Sequence, residues 1–497
     1  MQLHQNIYAL ISFVTYLSIV MLVGLVACLA TRNLSDYVLG GRKLGGAVAA
    51  LSAGASDMSS WLLMGLPGVI YAKGLGQIWI SVGLVLGAYG CWRLLARRLR
   101  IYSEVANDSV TIPAYLDNRF KDSSLAIRVF SALAILIFFT FYVAAGLYSS
   151  AILLERSFDL SYHQGLWLGA VIIMSYTSIG GFLAVSWTDF FQGTLMLICL
   201  ILVPLFAFNA LGDTTSIKAA LIGRTPAFFD SLAGVSGKEL IGCLSWGLGY
   251  FGMPHILVRF MAVKSVKEIP LARRVCMGWM TFSLIGAVCV GLVGALYFEG
   301  STALANRETV FMALLEIVFS PWVVGAVFAA ILSSSMCAVD SQMLAASSAL
   351  TEDFYRALFR RSASQKELVW VGRFTVALIA GVAIYIASAP SQSIMDLVEF
   401  AWAGLGATFG SVVVGSLYWR SMTRNAALVA MVSGTLTVLI WRGLGMNAQW
   451  GYELLPATLI SAVALVVTTL LGKKPDRATL EQFDAVNQLV QASRIKK

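Results

Sequence analysis

Charge is what this 497-residue sequence has least of: 26 acidic and 35 basic residues make up 12% of it, against 58% hydrophobic residues. Soluble domains carry about 25% charged residues, so a chain with roughly half that share and a mean hydropathy of +0.79 is not an ordinary solvated globule. It belongs in a membrane. Histidine is scarcer still. His4, His163 and His255 lie far apart in sequence, and the seven cysteines (28, 91, 199, 243, 276, 289 and 337) sit in or at the ends of apolar runs without metal-ligand spacing. That excludes a zinc or haem centre and makes the thiols small buried hydrophobes. Glycine-rich phosphate loops, a Walker lysine and DNA-binding motifs are also missing, which excludes an ATP-driven motor in this chain and a nucleic-acid partner. Alternating segments of about ten residues, the mark of a membrane β-barrel, are missing too.

What is present is a series of long apolar blocks. One crossing needs about 20 residues, and the blocks predict thirteen helices: 7–30, 46–72, 76–96, 127–154, 164–182, 188–210, 238–260, 276–297, 309–350, 369–388, 394–418, 425–444 and 453–472. The first has no basic segment before it and no small-residue cleavage pattern after it, so it reads as a retained span. The expected fold is an all-α polytopic membrane protein, with residues 1–472 as one transmembrane domain and 473–497 as a cytoplasmic tail. With the N-terminus outside, 28 of the 35 Lys and Arg fall on one face, including Arg32, the Arg93–Arg128 group, the Arg259–Arg274 group and the tail. Lys73, Arg156, Lys218, Arg224, Lys238, Arg307 and Arg442 fall on the other. The positive-inside rule makes the crowded face cytoplasmic, hence N-out and C-in, in a bacterial inner membrane.

Two spans carry interruptions. Residues Ser52 to Trp61 are small and polar and are followed by Gly65, Pro67 and Gly68; Ser245 to His255 holds Gly247, Gly249, Gly252 and Pro254. Broken helices occur in a bilayer only where they are buried in protein or line a cavity. A pair of them five spans apart predicts an inverted 5+5 repeat, about 46–210 and 238–418, with substrate and ion held between the breaks. Glycine and proline are also simply commoner in membrane helices, which is the bland reading of either break alone.

Intramembrane carboxylates are costly and mark pathways. Three qualify: Asp57, Asp189 and Asp340, the last flanked by at least ten apolar or small residues on either side. Glu155 reads as a rim residue, and Asp396 and Glu399 as helix-terminus groups. Around Asp340, helical spacing puts Ser334, Cys337, Ala338 and Ser341 on one stripe. Close packing of small residues explains such a stripe equally well.

The motif from Leu51 to Gly68 closely resembles the first core helix of the sodium/solute symporter family, in particular its bacterial proline-transporting branch. Gly180 to Asp189, Gly247 to Gly252 with Pro254-His255, Ala349 to Tyr355, Ala363 to Arg373 and Ala401 to Gly404 are similar to the family as well. The resemblance covers nearly the whole chain. It implies a LeuT-type core of ten helices preceded by one and followed by two, and sodium-coupled uptake of L-proline or a related small amino acid by alternating access. By the same resemblance Asp57 is the aspartate tied to sodium-dependent uptake, and Ala55, Met58 and Ser334 offer backbone carbonyls to sodium. Ser59, Ser60 and Trp61 would line the substrate cavity, facing Tyr142, Trp246, Tyr250 and Pro254. Free N–H groups of an unwound helix suit a carboxylate, and aromatic walls suit a pyrrolidine ring. Membrane lipid is the other implied partner; no obligate protein partner is evident, and no enzymatic activity.

The chain departs from that pattern in two places. Where the resemblance implies two hydroxyl ligands to sodium stand Cys337 and Ala338, and where it has glycine stands Ser60. Sodium is a hard cation that prefers oxygen, so the usual site is degenerate. Asp340 and Ser341, one turn on, match positions that with the equivalent of Asp189 form an additional sodium site in some members. Two accounts remain open: a displaced sodium site at Asp189, Asp340 and Ser341, or coupling to a proton carried by Asp340. A monocarboxylate or other small organic solute is an alternative cargo. A kinase-linked sensor would need a longer cytoplasmic extension, and a passive channel would not need paired breaks. The tail places Leu480, Phe483, Val486 and Leu489 at roughly helical spacing, which fits an amphipathic helix suited to anionic headgroups and a frayed end equally well.

Overall fold

The computed structural model describes residues 6–28, 39–179, 182–212, 226–298, 303–360, 362–389 and 393–495. Arg32, Lys218, Arg224 and the first two residues of the Gly180 motif lie outside them. All the named elements are helical: α1 Ile7–Cys28, α2 Gly46–Asp57, α3 Leu66–Lys73, α4 Ile78–Val105, α5 Ile112–Phe120, α6 Ala126–Phe158, α7 Tyr162–Ile179, α8 Phe182–Ala210 and α9 Gly237–Ser245. Then follow α10 Pro254–Ala262, α11 Ile269–Tyr297, α12 Val310–Val318, α13 Pro321–Ser348, α14 Gln365–Ala387, α15 Ile394–Tyr418, α16 Arg424–Gly443, α17 Leu454–Leu471 and α18 Arg477–Ile495.

Among the described residues nine helices are long and apolar enough to cross a membrane, and ten when the bent pair α9 and α10 is counted as one span. One expected span, 309–350, is instead two helices. Pro321 starts α13 at its first turn, where its missing N–H is not needed, and α12 ends before it at Val318. Apolar side chains such as Trp167, Phe374, Tyr385 and Leu471 remain exposed along α7, α14 and α17, as a lipid-facing surface requires.

Both expected breaks are present. The α2 helix stops at Asp57, a π-helical turn runs over Trp61–Gly65, and Pro67 opens α3. The α9 helix stops at Ser245, a tight 3-10 stretch runs over Trp246–Gly252, and Pro254 opens α10 at an angle of 47°. Glycine is required here because backbones touch: a Cβ on Gly87 of α4 would stand 2.1 Å from the Gly247 carbonyl, and one on Gly249 2.1 Å from the Trp402 indole nitrogen. The segments flanking the broken helices also pair. Leu44, before α2, and Val263, after α10, form a parallel bridge in which Lys264 N–H donates to the Leu44 carbonyl at 2.9 Å.

The tail is helical and docks on the bundle instead of standing free. Its buried stripe is Thr479, Phe483, Val486 and Val490, while Leu489 stays exposed, so the apolar face is rotated from the expected one. Asp484 accepts both nitrogens of Arg420 at 2.8 and 2.7 Å, Asn487 accepts from Arg98 at 2.9 Å, and Phe483 lies 5.1 Å beneath the Arg119 guanidinium.

Candidate functional site

The two breaks meet through Asp57 and the aromatic residues of the Trp246–Gly252 stretch. The Tyr250 hydroxyl donates to Asp57 Oδ2. The Asp57 carbonyl, freed where α2 stops, accepts from the Trp61 indole N–H at 3.0 Å and from the Tyr142 hydroxyl at 3.1 Å. Trp61 faces Trp246 with ring centroids 6.2 Å apart, Trp402 donates its indole N–H to the Trp246 carbonyl at 2.8 Å, and Tyr250 meets the Trp402 ring edge-on at 5.1 Å. Tyr452 stacks on Trp246 at 5.3 Å. Asp57 is 1% exposed and its Oδ1 has no hydrogen-bond partner. The cavity beside it, bounded by Tyr250, Cys91, Cys276 and Met280, has a volume of about 10 Å³. That is room for one water.

Ser59 is buried. Ser60 points away from the aromatic cluster into a chain of hydroxyls, 2.7 Å from Ser149, which is in turn 2.9 Å from Ser335. Pro254 is not part of the aromatic cluster. It lines a second cavity of about 30 Å³ with Thr111, Phe182, His255, Arg259 and Ser341. The His255 ring connects the two regions, lying edge-on to Phe139 at 5.5 Å and to Tyr142 at 6.3 Å.

The stripe on α13 faces α8. Ser334 is buried and its hydroxyl returns to the Ile331 carbonyl at 2.7 Å; the Cys337 thiol contacts Gln192 Oε1. Gly193, the next residue on α8, lies against α2, where an added Cβ would meet the Ala55 Cβ at 3.0 Å. One short stretch of α8 thus separates Ala55 from Cys337 and Ala338. Met58 is fully buried at the end of α2.

Asp189, Asp340 and Ser341 do not share one partner. Asp340 Oδ1 is held by the Thr177 hydroxyl of α7 and its Oδ2 is unpartnered. Asp189 Oδ2 takes the Ser52 hydroxyl at 2.6 Å and the Arg259 guanidinium at 3.2 Å. Ser341 accepts from the same guanidinium at 2.7 Å. Arg259 therefore does not belong with the basic loop residues that follow it: it is 2% exposed and inside the protein. Its signal was in the sequence, because an arginine between Val258 and Phe260 on a helix without nearby charges is out of place in a loop cluster. Gln192, Thr177 and Tyr452 carried no such signal, since only long-range packing brings them in, and Trp402 stood in the Ala401–Gly404 motif without a sign of its partner.

Paired broken helices that meet over a buried carboxylate and a closed aromatic cluster define a secondary transporter class. Residues 37–434 match the family described as Sodium:solute symporter family. The chain is 46% identical over 479 residues to the sodium/proline symporter of Salmonella typhimurium, covering 95% of each, and 47% identical over 465 residues to the high-affinity proline transporter PutP of Bacillus subtilis, covering 93% of this chain and 98% of that one. Its fold is similar to that of a Na+-coupled sialic acid symporter solved in a substrate-bound outward-open state, with a TM-score of 0.78 and 18% identity over 94% of this chain and 98% of the other. The chain belongs to the sodium:solute symporter family, and it is a transporter, not an enzyme.

Proposed function

We propose that this protein imports L-proline with sodium by alternating access. The observation that carries the reading is the meeting of the two broken helices at Asp57, Trp61, Trp246 and Tyr250; the proline-transporting names of the relatives support it. Proline takes the place now closed by Trp61, Trp246 and Tyr250, its ring against their faces and its charged ends met by Asp57, Ser59 and the Tyr142 hydroxyl. Ser60, whose hydroxyl is bonded to Ser149, is turned from that place toward α6. Sodium lies beside it, on the backbone carbonyls of Ala55, Met58 and Ser334, with Cys337 and Ala338 contributing no oxygen. The chain crosses a bacterial inner membrane thirteen times, N-terminus out, which puts the basic end with Arg98, Arg119 and Arg420 in the cytoplasm.

Uptake of radiolabelled proline into proteoliposomes, with sodium and proton gradients imposed separately, tests this. An inward sodium gradient is expected to drive accumulation at equal pH. Uptake that follows the pH gradient and ignores sodium would make the proton reading on Asp340 the correct one.

A further inference from the structure

Four oxygens converge on the Arg259 guanidinium: the Ser52 hydroxyl at 2.8 Å, the His255 carbonyl at 2.6 Å, Asp189 Oδ2 at 3.2 Å and the Ser341 hydroxyl at 2.7 Å. They come from α2, α8, α10 and α13, and each of these residues is at most 3% exposed. Hydroxyl, carbonyl and carboxylate oxygens around one point, with a single negative charge among them, are the donor set a monovalent hard cation takes. Here the cation is a side chain. Breaking such a buried pair from one side leaves an uncompensated charge, so the carboxylate needs some positive partner in every state of the cycle.

We infer that Arg259 is a tethered cation that fills the Asp189–Ser341 position and keeps sodium out of it. The guanidinium has hydrogen bonds to all four oxygens, and the Phe182 ring covers it at 5.5 Å. Because it is covalently part of α10, it stays in the protein through the cycle, and this position adds no ion to the transported charge. Arg259 thereby sets how many ions move with each substrate. It acts as a positioning and stoichiometry-determining residue.

The inference rests on sodium coupling, and equilibrium binding of radiolabelled sodium to the purified protein tests it separately from transport. Arg259→Gln opens the four-oxygen site and leaves its negative charge; it is expected to bind one more sodium per polypeptide than wild type. Added guanidinium ion should compete with that extra sodium alone. If Arg259→Gln binds the wild-type number, the inference is overturned. Should that variant fail to fold, the neutral pair Arg259→Gln/Asp189→Asn decides: it keeps the wild-type number if sodium does not use Asp189, and loses an ion if it does. Absence of proline uptake in wild type would defeat the proposed function while leaving these ion counts to stand or fall by themselves.

Discussion

The Tyr250 hydroxyl donates to the Asp57 carboxylate, joining the break in one helix to the break in another 193 residues further along the chain. The bond lies beneath the closed aromatic cluster, so the group that fixes Asp57 also belongs to the wall that must move. A hydrogen bond to a buried charged group is worth about 1.5–3 kcal/mol. Tyr250→Phe is therefore expected to raise the KM for proline about 10- to 100-fold while the protein still folds, and uptake kinetics in proteoliposomes read this directly. An unchanged KM would mean that Asp57 is held by the rest of its surroundings.

Restoring oxygen should strengthen sodium binding. Cys337 and Ala338 are buried on α13, with the Cys337 thiol against Gln192 of α8, so a pair of hydroxyls placed there would add oxygens on the α13 side of the site proposed for the ion. Cys337→Ser with Ala338→Thr is expected to lower the sodium concentration for half-maximal uptake about tenfold, the effect of roughly 1.4 kcal/mol. No change would argue against an ion at Ala55, Met58 and Ser334.

Close backbone contact between α4 and the Trp246–Gly252 stretch makes a third expectation. A methyl group on Gly247 would stand 2.2 Å from the Gly83 carbonyl, a rigid backbone atom. Gly247→Ala must push the two segments apart and tilt Trp246 off Trp61. Uptake should be lost and thermal stability should fall by about 1–3 kcal/mol, the usual range for overpacking. Gly278→Ala, where nothing lies within 4 Å, is the matched control.

At the end of the bundle opposite Arg119, Glu308 accepts the Ile394 N–H at 2.9 Å at the start of α15. Burial pushes its carboxyl up to about 7, more than that hydrogen bond and nearby Arg307 offset. Because the folded value lies above the unfolded one, this group's contribution to stability is complete below about pH 4.5 and is lost as pH rises through about 7. Wild-type melting temperature should therefore fall over that window. Glu308→Gln, which has no proton to lose, should flatten this component, worth about 3 kcal/mol. Parallel profiles for the two proteins would refute the assignment.

Local signals in the sequence located the breaks because glycine and proline act on their own backbone: Pro67 and Pro254 each open a helix, and Gly247 and Gly249 permit contacts no other residue allows. Asp57 and Asp340 were legible for the same reason, as charges inside apolar runs. Arg259 was misplaced because it was grouped with Lys264, Lys267, Arg273 and Arg274, which follow within fifteen residues, while its partners lie on α2, α8 and α13. The aromatic cluster was half legible. Trp61, Trp246 and Tyr250 stand in recognisable motifs, but the stacking of Tyr452 and the hydrogen bond from Trp402 depend on α15 and α17 closing over them. In the tail, a shift of a single position, Val490 for Leu489, moved the apolar face, because two residues that are neighbours in sequence lie about 100° apart around a helix.

Asn487 and Arg98 are 389 residues apart and bond at 2.9 Å. The helix that carries Asn487 is synthesised after every span it fastens, so its clasp on Arg98, Arg119 and Arg420 can close only when α4, α5 and the α15–α16 corner are already in place. Its docking is thus a record of assembly: a protease or an antibody that reaches Phe483 or Val486 would report a bundle whose spans have inserted but not yet come together.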